Sequence, residues 1–313
     1  MLYLRRSSSE RGRAVEGITM GSDLVLVTGA SGYVAGHCIL RLLTDGYRIR
    51  GTLRSLKRAS EVRQWLTKAR GGSDAGDALS FVEAELTVPK GWDAAMEGVR
   101  YALHVASPIP SSMPKHPDDL IVPAREGTLN VMRAASRASV HRVVQTSSLS
   151  AVFHGRDNPN SHLFTEADWT DPNHKDNSPY TRSKTIAERA AWAELPKLPR
   201  ALEWVAINPG LILGPVLDKD SSASVQIVMK LLKGEIPGLP RFGYPIVDVR
   251  DLADLEVRAM TVPQALTTLH RVRPVHPIER DRKCSEGAFG RQGEEGAYPQ
   301  TARLGRPVGG ALR

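Results

Sequence analysis

Tyr180 and Lys184 stand four residues apart in the run SPYTRSK, residues 178–184. On a helix that spacing puts both side chains on one face. An ammonium beside a phenol favours the phenolate and lowers the tyrosine from its ordinary value of about 10. The pair then becomes a proton donor or acceptor usable near neutral pH. Upstream, HRVVQT at 141–146 reads as a strand that ends in Ser147-Ser148. A serine hydroxyl at a strand end can hold a substrate oxygen; Ser148 is the candidate, with Ser147 the alternative. A Tyr and a Lys four apart are common in helices. Their place behind a strand-end Ser-Ser is what makes this pair informative.

A second constellation binds rather than reacts. The stretch LVLVTGASGYVAG, 24–36, opens as an apolar, β-branched run suited to a strand buried on both faces. A glycine turn follows, and then apolar residues at helical spacing over 38–43, stopping at Asp45-Gly46. Gly29 allows the tight turn, Gly32 lets backbone approach a pyrophosphate, and Ala35 permits close helix–strand packing. The helix start at Tyr33 and Val34 offers free N–H groups to the anion. A second strand, 47–53, ends at Arg54, with Lys57 and Arg58 close behind. An acid at that strand end would suit the 2′-hydroxyl of NAD, whereas a guanidinium suits the 2′-phosphate of NADP. NADP(H) rather than NAD(H) is the expected cofactor.

The remaining elements must carry these groups to one place. A helix is expected over 60–69, a strand over 79–84 ending at Glu85-Leu86, and a short helix over 89–98. A strand over 101–105 runs into Ala106-Ser107, four prolines interrupt 108–117, and a long helix spans 118–138. Strand and helix alternate throughout, which is the pattern of an α/β doubly wound parallel sheet. Chemistry in such a sheet sits at the carboxyl ends of its strands. After Gly210 the chain should build a smaller substrate lobe, with helices over 222–233 and 248–260, the latter capped or braced by Asp251. His104, Trp192 and Trp204 are expected to pack rather than react. His154, His162 and His174 lack metal-ligand spacing, so no metal is assigned.

The chain has 313 residues, 41% hydrophobic and 24% charged, enough for one large α/β domain. Its two cysteines, Cys38 and Cys284, form no disulfide framework, which favours a reducing, cytoplasmic setting. No apolar stretch approaches the roughly 20 residues of a membrane span. The net charge of +8 is concentrated at the ends, +2 within residues 1–20 and +4 within 270–313. The folded middle has no basic stripe interleaved with aromatics, so nucleic acid is not an expected partner. A small-molecule substrate is. Residues 1–20, Arg/Ser-rich without an apolar segment, read as a disordered extension.

Taken together, TGASGYVAG, HVASP, TSS, YTRSK, Asn208-Pro209-Gly210 and VDVRDLA resemble the extended short-chain dehydrogenase/reductases. The likeness is greatest to the dihydroflavonol reductase-like branch of the NAD-dependent epimerase/dehydratase superfamily, and covers about residues 22–268. The resemblance implies a Rossmann domain over 21–210 and hydride transfer between a nicotinamide and a small carbonyl or secondary alcohol. It implies that Ser148 orients the substrate oxygen, Tyr180 is the acid/base, and Lys184 tunes Tyr180 and holds the nicotinamide ribose. Gly29, Gly32, Tyr33, Val34 and Ala35 would line the pyrophosphate, Arg54 the 2′-phosphate, and Glu85 and Leu86 the adenine. Ala106, Ser107, Pro209 and Gly210 would lie along the nicotinamide half. Glu85 departs from the aspartate usual in the family. A sugar-nucleotide epimerase or dehydratase of the same superfamily, and a catalytically silent NADP(H) binder, are the alternatives; the intact Ser-Tyr-Lys set disfavours silence.

The likeness stops at about 266–269. Residues 270–313 hold eight Arg and seven Gly with almost no apolar periodicity. Reading the second and third bases of each codon with the first of the next changes this. Glu294-Glu295-Gly296, written GAA-GAA-GGT, yields Lys-Lys-Val. Synonymous choices over the tail give RFIASGPFIPLSEIASVLKERLG and then RAKKVPTRRLPDWAVRLAALF. That reads as a strand, a Ser-capped amphipathic helix and a Pro-Asp-Trp helix start. The tail from about 269 is therefore expected to be out of frame and disordered. The substrate lobe, 211–268, is expected to be incomplete and turnover weak.

Overall fold

The computed structural model describes residues 23–108, 115–155, 162–218, 222–235, 243–263 and 265. All of these fall in one unit, Met1–Pro277; a second, Ile278–Arg313, lies outside the described residues. The expected disordered extension at 1–20 and the out-of-frame tail also lie outside them.

Six strands form the central sheet: β1 Leu24–Val27, β2 Arg48–Leu53, β3 Leu79–Glu83, β4 Val99–His104, β5 Arg142–Thr146 and β6 Glu203–Ile207. They are parallel throughout, in the order β3-β2-β1-β4-β5-β6. This is the doubly wound α/β arrangement, and its order reverses between β1 and β4, which opens the binding crevice there.

The strand period of two sorts the core into two layers. Val25, Val27, Leu103, Val144 and Val205 face one cluster, with Ile39 and Leu42 of α1 (Tyr33–Thr44), Trp65 of α2 (Ala59–Ala69) and Leu252 of α7 (Val249–Thr261). Leu26, Ala102, Val143 and Trp204 face the other. There they meet Trp92 of α3 (Trp92–Met96), Met132 of α4 (Asp118–Arg137) and Ala191 of α5 (Pro179–Glu194). Between the two layers β1 is covered on both faces and reads as a continuous apolar run, while β3 at the sheet margin leaves Ser80 and Glu83 exposed. Trp204 packs, as expected.

Helix α5 starts sharply. Ser178 caps it by accepting from the Thr181 amide, and Pro179 occupies the first turn where its missing N–H costs nothing. Helix α7 ends over β5. The buried Arg142 guanidinium pairs with Glu203 at 2.7 Å and donates to the carbonyls of Ala259 and Val262 at 2.7 and 2.9 Å. A cation thus meets the negative end of that helix. Asp251 is not the cap of α7; Asp248 is, accepting from the Arg250 amide at 2.8 Å. The cap thus lies three residues before Asp251, at the start of the expected helix.

Beyond β6 the chain forms a two-stranded parallel ribbon, β7 Leu211–Leu213 with β8 Ile246–Asp248. Between them lies α6, Ala223–Leu232, which buries none of its residues. Ile227, Met229, Leu231 and Leu232 stand 47%, 44%, 37% and 78% exposed. Among the described residues no helix is long and apolar enough to cross a membrane.

Candidate active site

The end of β5 is held by its neighbours. The Ser147 amide donates to the Ile207 carbonyl at 2.7 Å and the Leu149 amide to the Pro209 carbonyl at 3.0 Å, tying it to the end of β6. The two adjacent serines then diverge. Ser147 donates its hydroxyl to the buried Glu188 carboxylate. Ser148 accepts from the Ser150 amide at 3.1 Å, which leaves its hydroxyl proton free to give, and it is hydrogen-bonded to Tyr180.

Tyr180 and Lys184 lie one turn apart on α5, both turned toward the β5 end. Lys184 is buried and its Nζ donates to the Thr146 carbonyl at 3.2 Å. Burial lowers the ammonium to about 8, while the carboxylates of Glu188 and Glu256 act to hold its charge. The effect on Tyr180 differs from the sequence expectation. Burial raises the phenol above its ordinary value, and what opposes this is the hydrogen bond from Ser148 rather than the lysine. Desolvation of the charged form sets the direction, and the Lys184 ammonium, one of whose three N–H groups goes to the Thr146 carbonyl, does not enter it.

Behind Lys184 sits Glu256 of α7. It accepts from Thr146 Oγ1 and, at 3.4 Å, from Cys38 Sγ, and burial raises it to about 7. His104, at the end of β4, is buried between Thr28 Oγ1 at 3.1 Å and Thr128 Oγ1 at 3.4 Å. Thr28 Oγ1 in turn accepts from the Ala106 amide at 2.9 Å. His104 is thus a packing and bonding residue of the strand end.

The glycine turn lies at the same edge. Gly29 has φ +67°, and a Cβ there would stand 3.0 Å from the Cβ of Ala106. Only glycine brings these two chains together. Helix α1 begins at Gly32 without a side-chain cap and with no acid in its first turn. The amides of Tyr33, Val34 and Ala35 are therefore left to an anion. Arg54, at the end of β2, is exposed and pairs with no described residue, whereas Arg58 is turned to Glu61 at 3.0 Å. Glu85 is half-buried, and its Oε1 accepts from the Leu86 amide at 2.9 Å. Gly210 has an internal reason to be glycine: a Cβ there would stand 2.1 Å from the Pro245 carbonyl oxygen. These features fit a dinucleotide with a 2′-phosphate.

The profile of the NAD dependent epimerase/dehydratase family matches residues 25–272. The chain belongs to this family. Within the NAD dependent epimerase/dehydratase family its likeness is to the reductases of the dihydroflavonol reductase-like branch. Cinnamoyl-CoA reductase 1 of Petunia hybrida is 32% identical over 249 residues, 79% of this chain and 72% of that protein. Tetraketide alpha-pyrone reductase 2 of Arabidopsis thaliana is 32% identical over 245 residues, 77% and 74% of the two chains. The crystal structure of yeast methylglyoxal/isovaleraldehyde reductase Gre2 complexed with NADPH superposes with a TM-score of 0.68. It shares 27% identity over 80% of this chain and 77% of that one. Vestitone reductase of alfalfa gives 0.61 at 27% identity, over 77% and 73%. This family member is an NAD(P)-dependent oxidoreductase.

Sequence reasoning passed over Glu188 and Glu256, and gave Asn208 no role. Glu188 had a signal available, since it follows Lys184 by four residues and shares its helical face. Glu256 and Thr146 meet only through the fold, 110 positions apart in the sequence.

Proposed function

We propose that this chain reduces a small aldehyde or ketone with NADPH, using Ser148, Tyr180 and Lys184. The observation that carries the reading is the convergence of Ser148, Tyr180 and Lys184 at the β5 end, at the sheet edge that also holds the glycine turn. NADP(H) would lie with its pyrophosphate against Gly29, Gly32 and the amides of Tyr33, Val34 and Ala35. Arg54 would take the 2′-phosphate, and Glu85 and Leu86 the adenine. Ala106, Ser107, Pro209, Gly210 and Lys184 would line the nicotinamide half. When bound, the cofactor supplies or accepts the hydride.

The chain's own groups handle the oxygen and its proton. Ser148 and Tyr180 together address the carbonyl oxygen, and the Tyr180 hydroxyl delivers the proton that the developing alkoxide needs. A phenol raised by burial stays protonated at neutral pH, which suits the reducing direction. Ser148, against the phenol oxygen, favours the tyrosinate left after that transfer, and Lys184 would hold the nicotinamide ribose. A reducing, cytoplasmic setting belongs to this reading and accords with a free, buried Cys38.

The out-of-frame reading of the tail is part of the same proposal. It is supported by the family match ending at 272 and by an α6 that buries no residue. The test is a screen of aldehydes and ketones with NADPH, following nicotinamide absorbance, on the full chain and on a frame-restored chain, each with its Tyr180→Phe variant. Turnover by the restored chain that Tyr180→Phe removes supports the function. NADPH binding without turnover in both chains sinks it in favour of a silent binder. Activity on a nucleotide sugar in place of carbonyls favours an epimerase or dehydratase.

A further inference from the structure

Glu188 is a fully buried carboxylate on which hydrogen-bond donors converge. Ser147 Oγ and, at 2.7 Å, Asn208 Nδ2 donate to its Oε2, and Trp192 Nε1 lies 3.5 Å from its Oε1. The same Asn208 amide group donates to the Ser148 carbonyl at 3.0 Å. Hydroxyl, amide and indole all bring protons to this oxygen pair, so the site asks for an acceptor at both oxygens. The charge is offset by Lys184 one turn earlier on α5.

A buried ion pair is a weak stability device, because apolar side chains of similar volume often serve as well. What an apolar side chain cannot do is hold Ser147 and Asn208. We propose that Glu188 is a positioning residue for the carbonyl reduction, fastening the Ser148 main chain and the Asn208-Pro209-Gly210 turn to the helix that carries Tyr180. Through Asn208 it fixes where the Ser148 backbone lies. Through Ser147 it commits the neighbouring hydroxyl and leaves Ser148 alone to meet Tyr180. The proposal rests on the function given above, and deepens it.

Glu188→Gln is a sharp probe because neither orientation of its amide satisfies the site. An NH2 in place of Oε2 faces the Asn208 donor, and one in place of Oε1 faces the Trp192 donor. The full chain, Glu188→Gln, Asn208→Ala and the double variant are compared by amide hydrogen exchange and by turnover. Exchange over 145–151 and 207–211 should rise about tenfold in each single variant, with β1 and β2 unchanged. The double variant should exchange no faster than the faster single one, since both act through one linkage. In turnover, Glu188→Gln should lower kcat roughly 10- to 100-fold, the cost of a small misplacement, with KM for NADPH little changed.

Unaltered exchange at 145–151, loosening spread over the whole sheet, or additive effects in the double variant overturn the proposal. So does local loosening with an unchanged kcat. Should Glu188→Gln fail to fold, Asn208→Ala decides alone: native exchange at 145–151 in that chain overturns it. Turnover that survives Tyr180→Phe is a different failure, of the functional reading, and leaves the exchange result to judge the brace.

Discussion

Ser147 and Ser148 are neighbours in the chain and serve opposite sides of it: the first gives its hydroxyl to Glu188 and the second bonds Tyr180. On the proposed reading only Ser148 meets the substrate oxygen. Ser148→Ala should lower kcat roughly 100-fold, the size of effect seen when one donor to a developing oxyanion is removed. Ser147→Ala should act mainly on stability, by about 1–3 kcal/mol, because Glu188 loses a buried donor. Turnover and urea midpoints of the two variants measure this. Equal losses of kcat would place the serine assignment in error.

On the proposed reading Arg54 sets the choice of cofactor. A charge-assisted bond to the 2′-phosphate, discounted for the exposure of this side chain, is worth about tenfold in affinity. Arg54→Ala should weaken NADPH binding by that factor and leave NADH where it was. Titration of cofactor fluorescence reads both constants. An unmutated chain that binds the two cofactors equally contradicts the assignment.

His104 predicts acid sensitivity. Burial, with a smaller contribution from Lys184, lowers it from 6.5 to about 3. Below pH 6.5 the unfolded chain takes up a proton that the folded chain refuses, so stability falls as pH drops from 6.5 toward 3. Above pH 6.5 both states are neutral there and the contribution is complete. The full span is worth roughly 5 kcal/mol. Urea midpoints at pH 7.5 and 4.5 should differ markedly less in His104→Gln than in the unmutated protein. An unchanged difference removes His104 as the cause.

The tail carries a prediction about the lobe. An in-frame ending would bring several Leu, Ile and Phe side chains, each worth about 1.5–3 kcal/mol when buried. The exposed face of α6, from Ile227 to Leu232, is where apolar area is waiting. Restoring the frame should raise the melting temperature by roughly 5–10 °C and increase turnover. Ending the chain at Leu269 should do neither. A gene sequence with no one-base insertion or deletion around codons 264–270, relative to close relatives, refutes the frameshift. Equal stability of the truncated and restored chains defeats its structural half.

Much of this was legible because it is local. Strand β1 and the turn at Gly29 are contiguous, and Tyr180, Lys184 and the cap at Ser178 lie within seven residues. Strand β6 was not singled out, since five residues between a proline-rich turn and Asn208-Pro209 give little periodicity to read. What stayed hidden is made by contacts between distant elements. Glu256 reaches Thr146 across 110 residues, and Asn208 reaches Ser148 across 60. The shift of Tyr180 was misjudged for the same reason. Helical spacing shows that a lysine is near, but not how much water the fold removes from the phenol.

The small ribbon of β7 and β8 has an engineering consequence. Leu211–Leu213 and Ile246–Asp248 are clasped side by side, so the 32 residues between them begin and end at one fixed doorway. Loop-closure entropy grows slowly, about 0.6 kcal/mol for each doubling of length. A grafted insert of different length between the two strands therefore leaves Pro209 on one side and the Asp248 cap on the other where they are. If 211–268 is the substrate lobe, as proposed, the stretch is a cassette: transplanting the corresponding segment of a relative should change substrate choice with the proton-handling groups untouched.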